Sequence, residues 1–303
     1  MRYARKRIQV SRRQTINDIL NEIKATSRFK LQHIIRVILT YEVNDEQGKK
    51  QEFGMVMTPV AEENLKEFLA RHDDPRMTLP GVAKEQLQRW LWCLLSGLAN
   101  IHSKRIRHGD VKPSNILVKN GSVFYTDFGN CKMLDEDEIP TTDNTRSKRS
   151  PNYGSPEVED KLSKNLKGDI FSLGCVFMEM TTVLCRRRLL DFTKYRGDVG
   201  DQAYRSHLDR CTMWMQGLRD GIRNESDERE HVEVWERVFD LCSMMTKSDK
   251  DERCSSADAF LFLQNPTAAN SRELSEIYST HNATQVVDQA CTCLNMWEKL
   301  RGP

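Results

Sequence analysis

The 303-residue sequence has no long apolar run, no internal repeat and no low-complexity block. No stretch approaches the roughly 20 apolar residues that a helix needs to cross a bilayer. The first ten residues, MRYARKRIQV, are too charged for a secretory signal. The chain also lacks an imbalance of charge, since 46 Lys+Arg against 44 Asp+Glu leave a formal net charge of +2. Neither nucleic acid nor a membrane surface is therefore expected as its main partner. Nine cysteines are scattered, only Cys291 and Cys293 lie close together, and no CxxC pair occurs. That spacing supports neither a zinc site nor a disulfide framework and predicts reduced thiols, in the cytoplasm or the nucleus. With 38% hydrophobic residues the chain can bury one large core or two modest ones.

What is present falls into two parts. Residues 2–10 read as a short strand, and Ser11 or Thr15 can cap a helix carrying Ile16, Ile19, Leu20 and Ile23 on one stripe. Residues 34–43 and 52–60 read as two further strands separated by the turn-like NDEQGKK. Leu87, Leu91, Leu94, Leu98 and Ile101 then recur at helical spacing, and Ile116–Val118 and Val123–Tyr125 flank a hairpin turn at Gly121. From residue 157 the pattern is helical, with apolar cores at Ile170–Met180 and Val234–Met245. Arg186–Arg188, directly after the first of these, reads as a solvated helix end.

The densest chemistry lies in HGDVKPSNILV, residues 108–118, followed by TDFGN at 126–130. Asp110, Lys112, Asn115 and Asp127 are the residue types that phosphoryl transfer from Mg·ATP requires. One carboxylate accepts the proton of an attacking hydroxyl and an ammonium offsets charge on the moving phosphate. An amide oxygen and a second carboxylate hold metal ions. The chain resembles the eukaryotic-type serine/threonine protein kinases.

That resemblance implies an α+β, two-lobe fold: a small antiparallel-sheet lobe in residues 1–60, a large mainly helical lobe in 61–265, and a helical extension in 266–303. It implies ATP and Mg²⁺ as cofactors and a protein substrate as partner. Ala4-Arg5-Lys6 fits the family's A-x-K strand, so Lys6 would face the α- and β-phosphates with Glu22 as its ion-pair partner. Met57 stands at the residue gating the back of the nucleotide pocket, and Thr58–Val60 at the hinge that bonds adenine. Asp110 resembles the catalytic base, Lys112 the serine/threonine-type lysine, and Asn115 with Asp127 the Mg²⁺ ligands. His108 reads as a packed core residue and Phe128 as a packing switch. SPNYGSPE (150–157) resembles the segment that positions a peptide substrate, with Ser150 at its bracing hydroxyl. Glu157 is expected to pair with Arg253, and Asp169 to anchor the catalytic loop.

Two departures matter. Gly109 replaces the arginine that in most such kinases meets a phosphate on the activation segment. Activity is therefore expected not to need phosphorylation of Thr141, Thr142, Thr145 or Ser147. No GxGxxG occurs in the sequence, so the loop that covers the phosphates and the strands carrying it are missing ahead of Lys6. A truncated gene model, a degenerate pseudokinase scaffold, and a partner pairing with the exposed sheet edge all account for this. The intact set of Lys6, Glu22, Asp110, Lys112, Asn115 and Asp127 favours truncation. A small-molecule phosphotransferase of the same fold shares the HGD and Asn spacing, but SPNYGSPE favours a protein substrate. Charged blocks at Asp135–Glu138 and Arg146–Arg149 read as solvated loop, and 190–232 as a long polar insert.

Overall fold

A computed structural model describes residues 2–9, 22–23, 32–48, 50–134, 152–159, 165–197, 200–225 and 229–264. The expected helix caps Ser11 and Thr15, the segment carrying Thr141 to Ser150, both charged blocks and the 266–303 extension lie outside the described residues.

Three strands, β1 (Ala4–Gln9), β2 (Arg36–Asn44) and β3 (Lys50–Thr58), form one antiparallel sheet in the order β1-β3-β2. Lys6 lies opposite Met55 and Ile8 opposite Phe53, so strand alternation puts all four on one face. Ile8, Phe53 and Met55 are buried there, with Ile23, Val37 and Met57 packed around them. On the other face Arg7 forks onto the Glu52 carboxylate, with Nη2 2.5 Å from Oε2. Tyr41 lies over Gly54 on the neighbouring strand, where a Cβ would come within 1.9 Å of the ring, so any larger residue there would displace the tyrosine. Among the described residues β1 has a strand on one side only.

The sheet hands over to a mainly helical lobe. β4 (Glu63–Asn64) leads into α1 (Leu65–Arg71), whose start is fixed by a reciprocal cap. Asn64 Oδ1 accepts from Glu67 N at 3.1 Å and Glu67 Oε2 from Asn64 N at 2.9 Å. α2 (Gly81–Ser103) buries Leu87, Trp90, Leu91, Leu94, Leu98 and Ile101, the stripe that the leucine spacing predicts. β5 (Ile106–Arg107) follows, then the hairpin β6 (Ile116–Lys119) and β7 (Ser122–Tyr125). Its turn residues Asn120 and Gly121 both have positive φ, 48° and 70°, the geometry that suits right-twisted strands. β8 (Lys132–Met133) pairs back onto β5.

The rest is α3 (Lys167–Leu184), α4 (Leu189–Arg196), α5 (Leu208–Glu225), α6 (Arg229–Met245) and α7 (Ser256–Gln264). α3 is apolar on nearly every side and is accordingly buried from Asp169 to Leu184 except at Glu179. Arg187 and Arg188 after it are exposed, but Arg186 departs from a solvated helix end. It turns inward at φ 57° and donates from Nη2 to Asp74 O at 2.8 Å, tying this end of α3 to the loop after α1. Among the described residues no helix is long and apolar enough to cross a membrane. The small sheet is fastened to the large lobe at His33–Ile35. There Tyr125 N donates to His33 O at 2.8 Å and Ile35 N to Tyr125 O at 3.0 Å, extending β7 by one bridge.

Candidate active site

The loop between β5 and β6 carries the HGD residues, and its shape is set from below. Asp169, in the first turn of α3, is buried and accepts the backbone N–H groups of His108 at 2.7 Å and Gly109 at 2.8 Å. Burial raises the Asp169 carboxyl, yet its bonds to His102 and to the loop outweigh that and hold it below the ordinary range. His102 reaches it with Nε2 at 3.1 Å and turns Nδ1 toward Ser256 Oγ at 2.9 Å, so α2, α3 and α7 meet under the loop. Gly109 has φ +81°, and a Cβ there would lie 2.4 Å from Asn130 O. The loop therefore approaches the residues after Asp127 more closely than any side chain at 109 allows. His108 is buried at the core, its ring 4.7 Å from that of Phe128 and its Nε2 3.1 Å from Thr126 O.

Two groups of the predicted residues assemble above this base. In the first, Lys112 Nζ lies 2.7 Å from Asp110 Oδ2. Asn115 Nδ2 donates to Asp110 O at 2.9 Å and to Asp110 Oδ2 at 3.1 Å, bonds in which the Asn115 amide oxygen takes no part. In the second, Lys6 Nζ stands between Glu22 Oε1 at 2.5 Å and Asp127 Oδ1 at 2.6 Å. Burial alone would lower the Lys6 ammonium, but the two carboxylates outweigh it and hold it above its ordinary value. Burial prevails for Glu22, which is pushed up despite Lys6. For Asp127 burial loses to Lys6, and the carboxyl stays below its usual range. The difference tracks exposure, 2% for the Glu22 side chain against 44% for that of Asp127.

Asp127 adopts φ 62° and ψ 67°, a left-handed backbone, at the exit from β7. The two groups are joined through the main chain, where Thr126 N donates to Asn115 O at 3.0 Å. Met57, Thr58 and Val60 stand outside both groups. Met57 packs on the small-lobe cluster, Thr58 closes β3 opposite Arg36, and Val60 lies partly buried in the link to β4.

A family model described as the protein kinase domain matches residues 1–263. The chain belongs to that family. Serine/threonine-protein kinase Nek6 of Oryza sativa subsp. japonica is 38% identical over 99 residues, 32% of this chain and 18% of that protein. Serine/threonine-protein kinase SKM1 of Saccharomyces cerevisiae is 29% identical over 192 residues, 59% of this chain and 27% of its own length. Serine/threonine-protein kinase 36 of Pongo abelii is 28% identical over 166 residues, 54% of this chain and 11% of that protein. The chain thus spans about a quarter or less of the length of these relatives.

In this kinase domain the far end of the activation segment is fixed by a buried ion pair. Arg253 has a fully buried side chain and forks onto Glu157 at 2.6 and 3.0 Å. Its other donors reach Lys247 O, Ser248 O and Lys167 O, and its guanidinium lies over the Phe171 ring. Burial would raise the Glu157 carboxyl, but the Arg253 hydrogen bonds hold it below its usual value.

Two contributions to the site were not read from the sequence. His102 under Asp169 follows directly after Ile101, the last residue of the α2 stripe, and nothing in its local sequence marks it. Glu179 is the lone carboxylate in the apolar run FSLGCVFMEM, and that isolation was the available signal, because a carboxylate in such surroundings needs donors. Tyr153 and Tyr204 supply them.

The donor set also suits the group that the family uses. Mg²⁺ takes hard oxygen ligands and usually only one or two from protein. The accessible Asp127 carboxylate and the Asn115 amide oxygen are of that kind, and Lys6 beside Asp127 adds a cation where phosphates would lie.

Proposed function

We propose that this domain transfers the γ-phosphoryl group of ATP to a serine or threonine hydroxyl of a protein. The observation that carries the proposal is Lys6 bridging Glu22 and Asp127, while Asp110, Lys112 and Asn115 form a second group one backbone hydrogen bond away. Asp110 accepts the proton as the hydroxyl oxygen attacks the γ-phosphorus and the bond to the ADP oxygen breaks. Lys112, already beside Asp110 Oδ2, offsets negative charge on the transferring group. Lys6, held by Glu22, meets the α- and β-phosphates. Asn115 and Asp127 hold Mg²⁺, which when bound neutralises the phosphate oxygens. Met57 backs the adenine site and Thr58–Val60 bond the base. Residues 1–60 and 61–265 act as the two lobes, and 266–303 as an appended segment.

One observation favours a second reading, a scaffold that signals by binding. β1 carries Lys6, and among the described residues it pairs with a strand on one side only, which is the arrangement on which another chain could pair. Transfer of labelled γ-phosphate to casein, with choline and an aminoglycoside as small-molecule controls, separates these readings. Transfer to casein that is lost in Asp127→Asn supports the kinase. Binding of Mg·ADP with no transfer to any acceptor supports the scaffold. Labelled choline or aminoglycoside would move the assignment to the small-molecule phosphotransferases.

A further inference from the structure

The strongest polar cluster outside the two ion-pair groups converges on Glu179 of α3. Its Oε1 accepts from Tyr153 OH at 2.7 Å and from Tyr204 OH at 2.8 Å. The two phenols come from different parts of the chain. Tyr153 belongs to the segment 152–157 that ends in the Glu157–Arg253 pair, and Tyr204 to the polar stretch between α4 and α5. The two are linked again through the main chain, because Tyr204 N donates to Asn152 O at 2.9 Å. Their ring centroids are 5.5 Å apart. Two turns earlier on the same face of α3, Ser172 Oγ donates to Tyr153 O at 2.8 Å.

Tyr204 is itself held from beneath. It is fully buried, and the guanidinium of Arg196, 3% exposed at the end of α4, lies 3.7 Å from its ring centroid. Arg196 Nε and Nη1 have no hydrogen-bond partner among the described residues; its guanidinium faces the Tyr204 and Phe192 rings, and the Glu179 carboxylate attracts it from nearby. Phe192 stacks on Trp214 at 5.3 Å, and Trp214 Nε1 donates to Thr182 Oγ1 of α3 at 3.1 Å. The stack is thus continuous from α5 through α4 to the segment 152–157.

We propose that Tyr204, seated on Arg196, is a positioning residue that holds segment 152–157 in its substrate-ready arrangement without any phosphate on the chain. The link to substrate rests on the kinase reading above, whereas the holding of the segment does not. It adds a task to the 190–232 insert, which otherwise reads as polar surface.

The test uses the whole 303-residue chain after phosphatase treatment, as wild type, Tyr204→Phe and Arg196→Met. Tyr204→Phe keeps the ring on Arg196 and removes one donor to Glu179, while Arg196→Met keeps an apolar stem and removes the cation. Backbone amide exchange over 152–159 should quicken about tenfold in Tyr204→Phe, as expected for loss of one hydrogen bond to a carboxylate. Arg196→Met should move it in the same direction, and exchange over 106–128 should stay at the wild-type rate. In casein phosphorylation the KM for casein should rise several-fold, with kcat and the KM for Mg·ATP unchanged. Unaltered exchange over 152–159 in both variants overturns the proposal, as does equal acceleration over 106–128. So does protection in the wild type that vanishes on phosphatase treatment. If the wild type transfers no phosphate to casein, the kinase reading fails, and the exchange rates still decide the role of Tyr204.

Discussion

Among the described residues the small lobe's cluster of buried apolar residues is Ile8, Phe53 and Met55, while in the large lobe one cluster runs from Ile34 and Leu65 through α2 and α3 to Leu263. Both lobes contribute charged groups to the site, but they support them differently. Lys6 rides on an edge strand over that small cluster, whereas Asp110 sits on a loop anchored through Asp169 to three buried helices. The large lobe can therefore hold its catalytic loop in shape unaided. The small lobe depends more on what it contacts, namely the Lys6 ion pairs and the His33–Ile35 seam. Burial scales with the number of layers an element is sandwiched between.

The largest expected effect breaks the comparison at the point where the lobes meet. Asp127→Asn removes the carboxylate that pairs with Lys6 and is proposed to hold Mg²⁺, and should lower phosphoryl transfer by at least about a thousandfold. Its urea midpoint should fall only slightly, because the Lys6–Asp127 pair is partly exposed and Lys6 keeps Glu22. A variant that transfers phosphate at the wild-type rate would remove Asp127 from the mechanism.

Next comes the large lobe's buried ion pair. Glu157→Ala leaves Arg253 buried without its counter-ion and should destabilise that lobe by about 3–5 kcal/mol, read from urea unfolding followed by tryptophan fluorescence. Phe53→Ala, by contrast, opens a cavity in the smaller cluster, at a cost of about 3–5 kcal/mol confined to the small lobe. Circular dichroism should then show an early sheet transition separated from the main one, with loss of Mg·ADP binding. A single cooperative transition in Phe53→Ala would mean that the lobes are not independent in stability.

Two glycines give a finer contrast. Gly48, in the β2–β3 turn, has φ +77° with nothing within 4 Å of a built Cβ, while Gly109 has φ +81° with Asn130 O at 2.4 Å. Gly48→Ala should cost only the left-handed backbone strain, about 1 kcal/mol. Gly109→Ala should cost more and lower transfer as well, because the loop must shift. Equal effects from the two would show that the close approach at Asn130 is unimportant.

The smallest effect is electrostatic. The folded Glu157 carboxyl lies below its unfolded value, so the stability it adds is present above the unfolded pKa and fades as pH falls through the folded one. The advantage of wild type over Glu157→Gln should therefore be full at neutral pH and shrink below about pH 4.5.

Much of the site was legible because its residues are close in sequence or have distinctive spacing. Asp110, Lys112 and Asn115 lie within one short loop, and β6 and β7 are forced into a hairpin by Asn120-Gly121. The Arg253–Glu157 pair was legible only through the family pattern, since nothing local links residues 96 positions apart. Arg186 was misread because its partner, Asp74 O, is a backbone group on a distant loop that no side-chain pattern reveals. The Tyr153–Glu179–Tyr204 convergence was hidden for the same reason. Each residue alone reads as surface or core, and only packing brings three chain segments to one carboxylate oxygen.

By itself the sequence determined the order of elements, the close spacing of Asp110, Lys112 and Asn115 and the division into a strand-rich and a helix-rich part. These rest on local periodicity, turn chemistry and short spacings, which do not depend on distant residues. The tertiary structure decided which charges meet and how strongly each is held. It set Lys6 between Glu22 and Asp127, put Asp169 beneath His108 and Gly109, and seated Tyr204 on Arg196. Burial and distance govern those energies, and both exist only once the chain has folded back on itself.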